Sequence, residues 1–187
     1  MPKLYFKYGA MGSSKTANAL MVKFNYEEKG YKVALLKPAT DNRDGVDIVK
    51  SRIGLEGRAI VITPEIDLVK WFESHREYKV IIVDESQFLT ERQVDQLKKV
   101  SINYVPVLCF GLKTDFMTRM FPGSKRLFEL ANSISEIKSV CSCGAKAEVN
   151  ARISNGKVVK EGEQIMLGGN ESYIGMCYKC WEKGVVK

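Results

Sequence analysis

Lys15 and Thr16 close a run of small residues, Gly9-Ala10-Met11-Gly12-Ser13-Ser14, and this is where the chain is best equipped for chemistry. The residues before Gly9 suit a strand, and Ala17, Asn18, Ala19, Leu20, Met21 and Val22 read as a helix. A strand, a tight turn and a Lys-Thr pair opening a helix form the context that a phosphate-binding loop requires. Unpaired N–H groups at the helix start, the macrodipole and small side chains together favour phosphate oxygens there. Lys15 would reach the outer phosphates of a nucleotide and the Thr16 hydroxyl would hold Mg²⁺. The pattern G-x-x-x-x-G-K-[ST] holds at Gly9, Lys15 and Thr16, but Ser14 stands where the second glycine belongs. Glycine supplies positive φ or close approach at such a place and serine does so less readily; Gly12 could take part of the strain. The plain alternative is a glycine-rich turn joining a strand to a helix.

A second group of candidates follows the apolar run Lys79–Val83, which ends in Asp84-Glu85-Ser86-Gln87. Asp84, at the strand tip, would hold Mg²⁺ through water. Glu85 projects differently and could accept the proton of an attacking hydroxyl. Phosphoryl transfer asks mainly for alignment and charge neutralisation, which these residues and the loop would share. Otherwise Asp-Glu simply caps the next turn.

Four of the five cysteines form two close pairs, Cys141/Cys143 and Cys177/Cys180. The second pair has the C-x₂-C spacing of a tetrahedral zinc knuckle; the first is tighter, with Gly144 to permit the turn. Four protein ligands would leave no open position, so the zinc would be structural and would close residues 144–176 into a loop. Free thiols or a disulfide are the alternatives. Cys109, in an apolar run, reads as a small core residue. The single histidine, His75, reads as a solvated surface position, which disfavours a histidine base.

These residues need elements to carry them. The order from Leu4 to about Val140 alternates apolar strands with helices, which means an α/β fold with a parallel sheet covered on both faces. Strands are expected at Lys3–Tyr8, Tyr31–Leu36, Arg58–Ile62, Lys79–Val83, Val105–Phe110 and Ile134–Val140. Helices are expected at Thr16–Lys29, Pro64–Ser74, Thr90–Val100 and Gly123–Asn132, the third opened by a Thr90/Gln93 capping box. Lys37–Gly57 reads as one long irregular loop. Ligands of such sheets bind at the carboxyl ends of the strands. The loop at 9–16, the acids at 84–85 and the segment 111–116 all fall there. From about Ser139 the chain becomes short-turned and cysteine-paired, so two units are expected: residues 1–138 binding nucleotide and residues 139–187 binding zinc.

Hydrophobic and charged contents of 45% and 27% describe a globular protein able to bury a core, and the net charge is +7. That charge suits nucleic acid or an anionic small ligand equally, and no basic block of five or more residues marks a polybasic tail. No apolar run approaches the ~20 residues of a bilayer span, and the start lacks an apolar leader. A cytoplasmic protein without a membrane partner is expected.

Taken together, YGAMGSSKT, KPATDNRDG, SRIGL, VDESQFLT, PVLCFGLKTDF, CSCGAKA, EGEQIMLGGNESY and CYKC resemble the zinc-containing, P-loop (type II) thymidine kinases over nearly the whole length. The Cys-x-Cys knuckle and the GEQ…GGNE-x-Y run point toward the enteric-bacterial members. The resemblance implies a RecA-like P-loop sheet with a zinc-ribbon-like lobe, and transfer of the ATP γ-phosphoryl group to the 5′-hydroxyl of thymidine. It places donor contacts at Gly9–Thr16, Asp41, Arg43 and Gln87, and the general base at Glu85. Leu112 and the aromatic residues Phe88, Phe116 and Phe121 would wall the nucleoside pocket. A zinc-anchored lasso, Gln164 through Tyr173, would close over the base with Gln164, Ile165, Met166, Leu167, Gly168 and Tyr173. Those Phe and Tyr residues could also be ordinary core, which is what sequence alone favours. Family members also lead one to expect Mg²⁺, structural Zn²⁺, a homotetramer and thymidine triphosphate as feedback inhibitor. Ser14 departs from the family's loop glycine, and Cys180 stands where bacterial relatives often carry histidine, which ligates zinc equally well. Two rivals remain from the residues themselves: a nucleic-acid-binding ATPase whose zinc ribbon grips phosphates, and a binding module that has lost catalysis.

Overall fold

A computed structural model describes residues 2–39, 47–165, 172–184 and 186. The elements run β1 (Leu4–Tyr8), α1 (Lys15–Glu28), β2 (Val33–Pro38), β3 (Ile48–Lys50), β4 (Glu56–Arg58), β5 (Ile60–Ile62), α2 (Leu68–Glu73) and β6 (Val80–Val83). There follow α3 (Glu91–Asn103), β7 (Val107–Gly111), α4 (Pro122–Leu130) and β8 (Ser133–Glu136). The rest comprises β9 (Ser139–Val140), β10 (Lys146–Ala147), β11 (Val149–Ser154), β12 (Lys157–Val159), β13 (Ser172–Met176) and α5 (Tyr178–Lys183).

Six strands pair in the order β5-β2-β6-β7-β1-β8 among the described residues, and every pairing is parallel. Successive side chains of a strand face opposite sides, so continuous apolar runs such as VIIV are stable only with both faces covered. The packing follows that rule. Phe6, Leu36, Ile81, Val83, Val107 and Cys109 point to one face, under Phe72 of α2, Val94, Leu97 and Val100 of α3 and Leu127 of α4. Leu35, Ile82, Leu108 and Phe110 point to the other, under Ala19 and Leu20 of α1 and Val49 of β3. Burial pushes the Cys109 thiol far up, as expected of a core residue. A third cluster, Val149, Ala151, Met176 and Trp181 with Cys141 and Cys177, lies in the three-stranded sheet β12-β11-β13 and α5.

Four expectations are corrected. The stretch 37–57 is not wholly irregular: β3 and β4 form an antiparallel hairpin, driven by Val49, buried while Ile48 and Lys50 are exposed. The helix expected from Pro64 starts only at Leu68, because the Asp67 side chain accepts from the N–H groups of Val69 and Lys70 and caps it there. The last strand is two: β8 pairs with β1, whereas β9 pairs with β10. His75 is half-buried, stacked on Trp71 at 4.7 Å and bonded through Nδ1 to the Trp71 carbonyl at 2.7 Å.

The capping box is present as expected. Gln93 N–H donates to Thr90 Oγ1 and Thr90 N–H to Gln93 Oε1, both at 3.1 Å, and Gln93 Nε2 also reaches the Thr63 carbonyl at 2.8 Å. Thr90→Ala should therefore lower the unfolding free energy by about 1 kcal/mol. An unchanged midpoint in chemical denaturation would show that the cap is energetically idle.

Candidate active site

Between β1 and α1 the chain must turn sharply and present its N–H groups. Gly9 lies where a Cβ would come within 2.5 Å of the Ile137 carbonyl oxygen, so only glycine fits. Gly12 and Ser14 both adopt left-handed backbone, with φ of 77° and 61°. Ser14 thus takes up the conformation that glycine normally supplies, and it does so at the residue preceding the helix, without a side-chain cap. Inside the loop, Ser13 N–H donates to the Ala10 carbonyl at 3.1 Å. The Lys15 ammonium folds back over the loop onto the same carbonyl at 2.9 Å and onto Ser13 Oγ at 3.4 Å.

Thr16, in the first turn of α1, donates from Oγ1 to Asp84 Oδ2 at 2.9 Å. Asp84 follows β6, is 4% exposed, and carries its neighbour Glu85 on a left-handed backbone with φ of 51°. Burial first, and the adjacent Glu85 charge second, push the Asp84 carboxyl up to about 7, against the opposing pull of the Thr16 hydrogen bond and of Lys15. Glu85 accepts a hydrogen bond from Gln87 Nε2, and Gln87 Oε1 accepts from Leu112 N–H at 3.0 Å. Gln87, 2% exposed, therefore braces Glu85 against the end of β7. A cleft of about 650 Å³ opens here, lined by Lys15, Thr16, Asp84 and Glu85 together with Lys50 at the end of β3 and Arg52 of the β3–β4 turn.

The residues expected around the nucleoside fall into two contact groups. Phe88 and Phe121 meet edge to face at 5.7 Å. Phe116, 1% exposed, lies under the guanidinium of Arg152 at 3.6 Å, and Leu112 is buried nearby in sequence at the end of β7. Arg152 Nε donates to the Tyr173 hydroxyl at 2.7 Å and Nη2 to the Glu163 carbonyl at 2.8 Å, so one buried cation holds both ends of the 163–173 segment. Gln164 Nε2 donates to Asp115 Oδ2 at 2.9 Å, while Ile165 is exposed. Asp41, Arg43, Met166, Leu167 and Gly168 lie outside the described residues. Arg152, Asn150 and Asp115 were missed by sequence reasoning. Their signal was available: charged or amide side chains at alternate positions of the otherwise apolar Val149–Ser154, and an aspartate four residues past the end of a buried strand, within the 111–116 segment.

The four paired cysteines come together, with all Sγ atoms within 4.8 Å of one another and Cys143 and Cys177 at 3.6 Å. Zn–S bonds of about 2.3 Å in a tetrahedron set S···S edges of roughly 3.8 Å, so the donor set suits zinc. Gly144, with φ of 87°, makes the tight turn between Cys141 and Ala145. Burial works against ionising Cys141, yet N–H groups of Cys143 and Cys177 and the neighbouring thiols bring it down to about 6, toward the thiolate that a metal binds.

A six-stranded parallel sheet whose first strand leads through a small-residue loop into a Lys-Thr helix, with an aspartate two strands away meeting that threonine, has the fold of the P-loop nucleotide-binding proteins. Sequence comparison narrows the class. The family model described as thymidine kinase matches residues 2–181, and the chain belongs to the thymidine kinase family. It is 47% identical over 183 residues to the thymidine kinase of Streptococcus pyogenes serotype M3, covering 96% of each chain. Against the thymidine kinase of Enterobacteria phage T4 the identity is 44% over 188 residues, covering 98% of this chain and 97% of the other. That of Lactobacillus acidophilus is 42% identical over 199 residues and the full length of both.

Two outcomes follow from the loop and the acids. Ser14→Gly removes a left-handed penalty of roughly 1 kcal/mol, partly offset by the greater freedom of glycine in the unfolded chain. It should raise stability by about 0.5 kcal/mol and change the KM for ATP by less than about threefold; a larger kinetic change would give the hydroxyl a role of its own. Asp84, whose folded pKa is raised from 3.8, favours the folded state fully at low pH and loses that contribution as pH rises toward and past 7. Asp84→Asn should therefore flatten the pH dependence of urea unfolding in metal-free buffer, by on the order of 3 kcal/mol between pH 4 and 8. Parallel curves for the two proteins would remove the buried-charge account.

Proposed function

We propose that this chain transfers the γ-phosphoryl group of ATP to the 5′-hydroxyl of thymidine, giving thymidine monophosphate. The observation that carries the reading is the Thr16–Asp84 contact, which sets two carboxylates, Asp84 and Glu85, in one cleft with the Lys15 loop. Gly9 through Thr16 bind the donor phosphates, with Asp41 and Arg43 as further donor contacts, and Lys15 neutralises their charge. Thr16 and Asp84 would hold Mg²⁺, which supplies charge neutralisation across the transferring phosphates. Glu85 receives the hydroxyl proton, held for that task by Gln87. The left-handed backbone at Glu85 supports this, because strain of that kind concentrates where a side chain must be aimed.

Phe88, Leu112, Phe116, Phe121 and Tyr173 wall the nucleoside pocket, and the segment from Gln164 through Gly168 closes over the base. Cys141, Cys143, Cys177 and Cys180 would hold a structural Zn²⁺, which cross-links the base of that segment. In this division residues 1–138 bind the donor and residues 139–187 carry the lasso. Association into a homotetramer is proposed on the resemblance to the family. Thymidine triphosphate, the end product, would occupy the same pocket as an inhibitor. No described helix is long and apolar enough to cross a membrane; a cytoplasmic setting without nucleic acid is proposed with the rest.

The test is phosphorylation of free thymidine by ATP, with deoxycytidine and single-stranded DNA as controls. Thymidine monophosphate should form, and Glu85→Gln should lower kcat by at least about 10³-fold while thymidine still binds. ATP hydrolysis driven by DNA without product from thymidine would instead favour a nucleic-acid-dependent ATPase.

A further inference from the structure

The donor loop does not hold its shape alone. In the three-stranded sheet of the cysteine-bearing region, Asn150 of β11 stands opposite Gly175 of β13, and both reach Met11. Asn150 Oδ1 accepts from the Met11 N–H at 2.8 Å. A Cβ on Gly175 would lie 2.5 Å from the Met11 carbonyl oxygen, so only glycine lets the strand come this close. The other arm of the carboxamide, Nδ2, donates to the Thr114 carbonyl beyond β7 at 2.7 Å. Asn150 is 3% exposed, and a buried amide is stable only when bonded. Both named bonds go to backbone outside the Asn150 strand's own ladder, so the packing of that sheet does not explain them.

The peptide between Ala10 and Met11 is therefore held at both ends. Its carbonyl receives Lys15 Nζ at 2.9 Å and Ser13 N–H at 3.1 Å, and its N–H is taken by Asn150. Rotating this peptide would move the oxygen on which the Lys15 ammonium rests. We propose that Asn150, with Gly175 beside it, is a positioning residue for the donor loop, fixing the Ala10–Met11 peptide and through it Lys15 before nucleotide arrives. The phosphate cradle is thus completed by a strand lying 139 residues further along the chain. This rests on the assignment of residues 9–16 as the donor loop.

Asn150→Leu removes both hydrogen bonds at similar volume. It should raise the KM for ATP roughly tenfold, and by clearly more than the KM for thymidine. Equal rises in both, or an unchanged KM for ATP, would overturn the inference. Lys15→Ala is measured alongside: if it leaves the KM for ATP untouched, the donor-loop assignment fails, whereas a normal Lys15 effect with a silent Asn150 defeats only the present inference. A reading independent of any variant comes from amide exchange in the nucleotide-free wild-type enzyme. The Met11 amide should exchange slowly, as a bonded and shielded N–H does, and exchange at the rate of an exposed loop would equally refute the clamp.

Discussion

A single hydrogen bond, Thr16 Oγ1 to Asp84 Oδ2, ties the two halves of the site across an intervening strand. Its partners come from the helix after β1 and from the end of β6, with β7 between those strands. The contact depends on where β1, β7 and β6 end relative to one another. The parallel register sets this: Tyr8 lies opposite Gly111 at the ends of β1 and β7, while Val83 lies opposite Cys109, so that β6 stops two residues earlier and its end is followed at once by Asp84. Moving either strand by one residue would turn every core side chain to the wrong face, so the hydrophobic pattern fixes the distance between helix and acid. The geometry of the cleft is here a by-product of core packing.

Around these strand ends the backbone departs from its low-energy regions at useful places. Ser14 and Glu85 are left-handed without being glycine; Ser14 precedes Lys15, and Glu85 follows Asp84. Such conformations cost of order 1 kcal/mol each and persist where surrounding structure leaves no alternative. At Glu85 the restraint is visible, since Gln87 links its carboxylate to the Leu112 backbone. Gly111 belongs to the same restraint: a Cβ there would come within 2.6 Å of Ser86 Oγ, so the strand end and the acidic turn are packed backbone to side chain.

Local signals in the sequence translated well. The phosphate loop, the strand ending in Asp84-Glu85, the Thr90/Gln93 cap and the cysteine pairs each depend on residues a few positions apart, and each is present in the fold. Features built from distant residues were not legible. Asn150 meets Met11 across 139 positions, Gln164 meets Asp115 across 49, and Arg152 pins Tyr173 across 21. A polar residue in an apolar strand announces that it has a partner, but not which one. The β3–β4 hairpin was missed for another reason: with only Val49 buried, three-residue strands are too short to show alternation.

The place of β1 in the sheet has a consequence for how the molecule comes into being. This strand is made before the others of its sheet, yet its neighbours are β7 and β8, with Leu4 opposite Val107 and Tyr5 opposite Ser133. The loop it carries stays without that scaffold until the residues of β7, about a hundred positions later, have been made. Parallel pairings of such sequence separation form slowly, so the nascent chain has a long interval in which β1, with its apolar Leu4 and Phe6, is open to wrong partners.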